Sequence, residues 1–286
     1  MLDAALFKDT ACDLGEGPLW DGEALWFFDI LAPALNRIGA DGGAVESWDP
    51  GAMASAAARL ADGRLLVATE RDLTVFDRAA GSWTPLCPLE ADTPDTRSND
   101  GRADRQGGFW IGTMGKTAAP GAGALYRYYR GTLRKLLGGM SIPNAICFAP
   151  DGRRAYFADS AAGRILAWTL DAEGWPIGAP RPFFEMTAPG EAPDGAVVDA
   201  DGAVWVAIWG GARVQQILPD GRAGQAVSLP VPQPTCPALT EDGRLFVTTA
   251  RQGLDGAALA AAPLSGALFA ADLPIRGLPE PLVHVP

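Results

Sequence analysis

Imidazole is almost absent from this chain: of 286 residues one is histidine, His284, two positions from the end. That excludes most chemistry built on imidazole, from His-ligated metals to Ser-His-Asp triads and histidine general bases. Thiolates are scarce too. Cys12, Cys87, Cys147 and Cys236 are scattered with no C-x-x-C spacing, so they read as buried free thiols rather than a disulfide framework or a zinc site. No G-x-S-x-G, P-loop or G-x-G-x-x-G pattern occurs. The chain has no run of eighteen strongly apolar residues and no opening basic-then-apolar segment, so a soluble, cytoplasmic protein is expected. With 23 Lys and Arg against 34 Asp and Glu, the net charge of −11 argues against nucleic acid or an anionic membrane as partner.

Helical periodicity is weak as well. The Ala-rich pieces at 52–58 and 257–262 allow a turn or two at most. What the sequence has instead is a repeat. WDGEALWFFDI (20–30), LADGRLLVATE (60–70), DRQGGFWIGTM (104–114), APDGRRAYFADS (149–160), DADGAVWVAIW (199–209) and TEDGRLFVTTA (240–250) each join a Gly-containing turn to an apolar strand pattern. Asp-Gly before such a run signals a hairpin, because the turn needs backbone angles that these residues tolerate. The anchors Gly22, Gly63, Gly107, Gly152, Gly202 and Gly243 are 41, 44, 45, 50 and 41 residues apart. A second hairpin is expected after each anchor, the last over ALFAADLPIRGLPEPLV. Four strands per unit at this period predict an all-β, six-bladed β-propeller occupying residues 1–286 as one domain. The C-terminal PLVHVP is expected to add a strand to the first or last blade.

Inner strands of a propeller run the same way along one channel, so residues at one phase of the repeat gather at one end. Ten to twelve residues before the first large strand residue of each repeat stand Glu16, Ser55, Asn99, Asn144, Asp194 and Thr235. None is apolar. A ring of acids and amides offers the oxygen ligands that Ca²⁺, Mg²⁺ or Mn²⁺ prefer. Two of these positions also have a local explanation: Asp194-Gly195 is a turn dipeptide, and Asn144 after Pro143 can cap a loop. Glu16 between two glycines has none, and the shared phase joins Glu16, Asn144 and Asp194 as the candidate metal set. Asp29, Asp159 and Glu70 fall at the opposite phase and read as strand-end hydrogen bonders. The strand Gly107–Met114 reads as generic blade.

Several stretches resemble the gluconolactonase and regucalcin family of six-bladed propellers, which includes bacterial sugar lactonases: LGEGPLW (14–20), RSNDGRAD (97–104), FWIGTM (109–114), IPNAICFAPDG (142–152), APDGAVVDADG (192–202) and TTARQGL (248–254). The resemblance implies one divalent cation (calcium, zinc, manganese, magnesium or iron(II)) held by Glu16, Asn144 and Asp194, with Asp194 also the catalytic base. It implies substrate contacts at Arg97 and Asn99, with Asp100 in the same pocket motif. Two positions depart from the family: Asn144-Ala145 stands where Asn-Gly is common, and Gly115-Lys116-Thr117 where an acidic substrate contact often stands. The implied reaction is hydrolysis of a sugar lactone, a small-molecule substrate, by a monomer or small homo-oligomer. Other ester or phosphotriester hydrolysis, and calcium binding without catalysis, stay open at this point.

Overall fold

The computed structural model of the chain describes residues 2–285; Met1 and Pro286 lie outside the described residues. Six sheets follow one another along residues 15–48, 54–88, 96–140, 143–185, 192–228 and 234–272. Each innermost strand packs on the next, and the sixth, Pro234–Leu239, packs on the first, Gly15–Trp20. The ring is therefore closed, and the fold is a six-bladed β-propeller.

The repeat explains the blades residue by residue. In blades 1, 3 and 5 the turn aspartate bonds in two directions. Oδ1 of Asp21, Asp104 and Asp199 accepts backbone N–H groups of its own turn, among them Ala24, Gly108 and Ala203. Oδ2 accepts the indole N–H of Trp26, Trp110 and Trp205 at 2.7, 3.0 and 2.8 Å. A buried tryptophan needs such a partner for its only polar group. The strands that follow are buried on both faces. Leu25 and Phe27 join a core cluster shared by blades 6 and 1, while Trp26 and Phe28 join the one shared by blades 1 and 2. Six clusters of this kind lie at the six blade boundaries, so the core is a set of wedges around the channel.

The termini depart from expectation. The second hairpin of the sixth repeat does not form: that blade takes three strands from its own segment, and its fourth is Ala5–Lys8, antiparallel to Leu268–Asp272. Pro274, Pro279 and Pro281 remove three backbone donors from the stretch that would have made the hairpin, so it runs as an extended strap. Its end, Leu282–Val283, pairs parallel with Arg59–Leu60 in blade 2, not in the first or last blade. Leu2–Asp3 adds a parallel strand to blade 5. Of the Ala-rich pieces, Gly256–Ala261 is a short α-helix capped by Asp255, whereas Ala54–Leu60 is the inner strand of blade 2. All four cysteines are free, and no helix among the described residues is long and apolar enough to cross a membrane.

One irregularity positions the site. Every inner strand breaks register at the same phase, between Glu16 and Leu19, Ala54 and Ala56, Ser98 and Gly101, Asn144 and Cys147, Pro193 and Ala196, and Pro234 and Pro237. A bulge re-aims side chains and ends regular pairing. Gly17 follows Glu16 because a Cβ there would lie 2.2 Å from the Ser55 carbonyl oxygen, at a φ of +53°. Ala145 makes the matching turn after Asn144 at φ 55°, a left-handed conformation that glycine takes at lower cost.

Candidate active site

The bulges open into a cavity of about 360 Å³ at one end of the channel, lined by Glu16, Arg97, Asn99, Asn144 and Asp194. All five side chains are buried. The other two positions of the ring do not reach the cavity and tie neighbouring blades instead. Ser55 Oγ donates to the Asn99 carbonyl at 2.5 Å, and Thr235 Oγ1 to the Gly15 carbonyl at 2.5 Å. Asp100 does not line the cavity either. Its Oδ2 accepts the Ile146 N–H at 2.7 Å.

Two strand-end aspartates set the approach of the inner strands that carry Glu16 and Asn144. Asp29 accepts the N–H groups of Asp13 and Leu14 at 2.8 and 3.1 Å, just before Glu16. Asp159 accepts those of Ser141 and Ile142 at 2.8 and 3.0 Å, just before Asn144. A hydrogen-bonded row then crosses three blades. Arg97 Nη1 donates to Asn99 Oδ1 at 2.8 Å; Asn99 Nδ2 donates to Asn144 Oδ1 at 2.9 Å and to the Pro143 carbonyl at 3.0 Å. Asn144 Nδ2 donates to Ser160 Oγ at 2.8 Å, and Ser160 donates to the Pro193 carbonyl at 2.6 Å.

Residues 14–251 match the family described as the SMP-30/gluconolactonase/LRE-like region. The chain belongs to that family. It is 39% identical over 282 residues to an L-arabinolactonase of Azospirillum brasilense, covering 96% of this chain and 93% of the relative. It is 31% identical over 276 residues to a 6-deoxy-6-sulfogluconolactonase of Pseudomonas putida, covering 94% of each. Among solved structures it matches a calcium-binding protein, regucalcin, from Agrobacterium tumefaciens, at 37% identity with a TM-score of 0.96 over 99% of both chains.

In this SMP-30/gluconolactonase propeller the cavity is short of positive charge. Burial, with the Asp100 charge beside it, pushes the Glu16 carboxyl up to about 8, against the opposing Gly17 N–H and Arg97. Burial also lifts Asp194 well above the usual carboxylate range, helped by Glu16 and Asp100 and opposed by Arg97 and the Gly195 N–H. Asp100 rises to about 6, again through burial. Burial lowers Arg97, opposed by Glu16 and Asp194. Two buried carboxylates thus share one guanidinium, an arrangement that a cation would relieve. Among the described residues no three His, Cys, Asp or Glu side chains form a metal-binding group. The donor set is instead two carboxylates and the Asn144 amide oxygen, which fits a hard divalent cation bound by oxygen alone.

Sequence reasoning missed several lining residues. Ser160 follows a strand-end aspartate and looks like an ordinary cap. Met114, at the end of a strand read as generic blade, lines the cavity, as do Leu14, Ile142 and Gln252. Their only signal is position: each lies at the site end of a strand or just past one. Lys116 does not line the cavity; its Nζ pairs with Glu70 at 2.5 Å.

Proposed function

We propose that the protein hydrolyses a sugar lactone to its aldonic acid, using one divalent cation held by Glu16, Asn144 and Asp194. The observation that carries this reading is the meeting of two charge-deficient carboxylates, an oriented amide and a guanidinium in one cavity. A cavity of about 360 Å³ suits one small ligand, and the L-arabinolactonase likeness covers nearly the whole chain.

Bound there, a divalent cation supplies Lewis acidity toward a carbonyl oxygen. The chain's own residues do the rest. Asp194 accepts a proton from the attacking water and returns it to the ring oxygen as the ring opens. Arg97 uses Nη1 on the Ser98 carbonyl and Asn99, so the rest of its fork is available to sugar hydroxyls. Both Nδ2 protons of Asn99 are engaged by Pro143 and Asn144, so toward substrate this residue offers only an acceptor. Asp100 acts through charge on Glu16 and Asp194 rather than by touching the sugar. Leu14, Ile142 and Trp209 give the cavity an apolar wall for the C–H face of the sugar.

Calcium binding without turnover is the competing reading, favoured by the description of the Agrobacterium relative as a calcium-binding protein. The test is hydrolysis of a panel of five- and six-carbon aldonolactones, with added divalent cations and with chelator. Chelator-sensitive opening of at least one lactone is expected. If none opens faster than in buffer while cation binds, the protein is a binder and not a lactonase.

A further inference from the structure

The row from Arg97 to Pro193 has a direction, and its chemistry sets that direction from both ends. The Pro193 carbonyl can only accept, so the single proton of Ser160 points to it, at 2.6 Å. The lone pairs of Ser160 Oγ are then left for Asn144, which must present Nδ2, at 2.8 Å. At the other end Arg97 can only donate, so Asn99 turns Oδ1 toward it and Nδ2 toward Asn144 Oδ1. The Asn144 amide therefore has one permitted orientation. Its oxygen keeps one lone pair free, because Asn99 occupies only one of the two.

We propose that Ser160 is a positioning residue for the cation site: its hydroxyl holds the Asn144 amide in the ligating orientation and ties it to the backbone carrying Asp194. Pro193 immediately precedes Asp194, so one hydroxyl links two of the three oxygen donors across the boundary between blades 4 and 5. The hydroxyl is itself held in place. Asp159 accepts the N–H groups of Ser141 and Ile142, and its carboxylate caps the turn Ser160–Ala162 through the Ala161 N–H. Loss of the hydroxyl frees Asn144 Nδ2 and removes the strut to Pro193, while the Asn99 bond remains. Outer-shell losses of this kind weaken metal affinity by about 10- to 100-fold, and the surviving Asn99 bond places the expected loss near the lower end.

The inference rests on the cation reading above, and the experiment separates the two. Mn²⁺ binding to purified wild type, Ser160→Ala, Ser160→Thr and Asn144→Ala is measured by calorimetric titration, together with melting of each metal-free protein. Expected are an affinity about tenfold weaker in Ser160→Ala, recovery in Ser160→Thr, and little change in the metal-free melting temperatures. Ser160→Ala binding within about twofold of wild type overturns the positioning role, even if Asn144→Ala abolishes binding. So does a loss confined to metal-free stability. If wild type binds no Mn²⁺, or Asn144→Ala binds as tightly as wild type, the cation reading itself fails and this inference falls with it.

Discussion

Asn99 Nδ2 donates to Asn144 Oδ1 at 2.9 Å, joining the inner strands of blades 3 and 4 at the cavity. The same Asn99 holds Arg97 through its oxygen, so one amide orients both a candidate substrate contact and a candidate metal ligand. Asn99→Ala should therefore do more than remove a sugar contact. It leaves Arg97 Nη1 with the Ser98 carbonyl as its one remaining acceptor and the Asn144 oxygen without its donor. We expect cation affinity to fall about tenfold, as for an outer-shell loss, and kcat/KM to fall by more. A loss in KM alone, at unchanged cation affinity, contradicts the orienting role.

Asp194 is more costly to the empty protein than to the loaded one. Burial and the neighbouring Glu16 and Asp100 raise its carboxyl well above the usual range. Asp194→Asn keeps the shape and removes the charge. The variant should lose lactone hydrolysis by at least about a thousandfold, since it loses both a ligand and the proton acceptor. In chelator it should melt at or above the wild-type temperature. Full activity in this variant sinks its assignment as ligand and base.

The pH dependence of the metal-free protein follows from the same shifts. Glu16 rises from 4.5 to about 8 and Asp100 from 3.8 to about 6. With folded values raised, the folded state binds more protons than the unfolded chain between the two values. The stabilisation is fully present below the ordinary carboxylate range and is lost as pH rises through the folded values. In chelator the melting temperature should fall between about pH 5.5 and about pH 8.5, by an amount worth up to a few kcal/mol. Saturating Ca²⁺ should flatten that fall, so its stabilising effect grows with pH. Thermal unfolding across that range, with and without Ca²⁺, checks the sign.

How much of this was legible in the sequence depends on whether the cause was local. Asp21, Asp104 and Asp199 announce their blades because one carboxylate serves both its own turn and a tryptophan five or six residues on. Glu16, Asn99, Asn144 and Asp194 could be brought together by counting, since the inner-strand bulges keep one phase. Ala5–Lys8 could not be assigned to the last blade, because its partner Leu268–Asp272 is at the other end of the chain. Ser160 was hidden for a similar reason. Its role depends on the Pro193 carbonyl of the next blade, which no spacing within its own repeat reveals.

At the strap, Glu280 and Arg102 form a buried ion pair, each side chain no more than 10% exposed. The pair joins the C-terminal segment to the inner strand of blade 3. Glu280→Gln leaves the Arg102 charge buried without its partner, and breaking such a pair costs about 3–5 kcal/mol. The melting temperature should drop by several degrees with little change in KM, because neither residue lines the active-site cavity. The double variant Arg102→Met, Glu280→Leu should recover much of the loss, since an apolar replacement removes both desolvation penalties.

Gly17 tests whether the bulge itself places the metal set. A methyl group there would lie 2.2 Å from the Ser55 carbonyl oxygen and 3.0 Å from the Phe28 ring, at a φ of +53° that alanine disfavours. The obstructing atom is backbone of the adjacent inner strand, so it cannot swing aside as a flexible side chain would. Gly17→Ala must therefore shift one strand against the other, and Glu16 is the residue immediately before the shift. Overpacking of this kind costs about 1–3 kcal/mol, to which the left-handed conformation adds about 1–2 kcal/mol. The variant should melt lower than wild type and bind Mn²⁺ more weakly at a temperature where it is fully folded. Weaker melting with unchanged Mn²⁺ affinity would show that the blade 1 bulge supports the fold but does not aim Glu16.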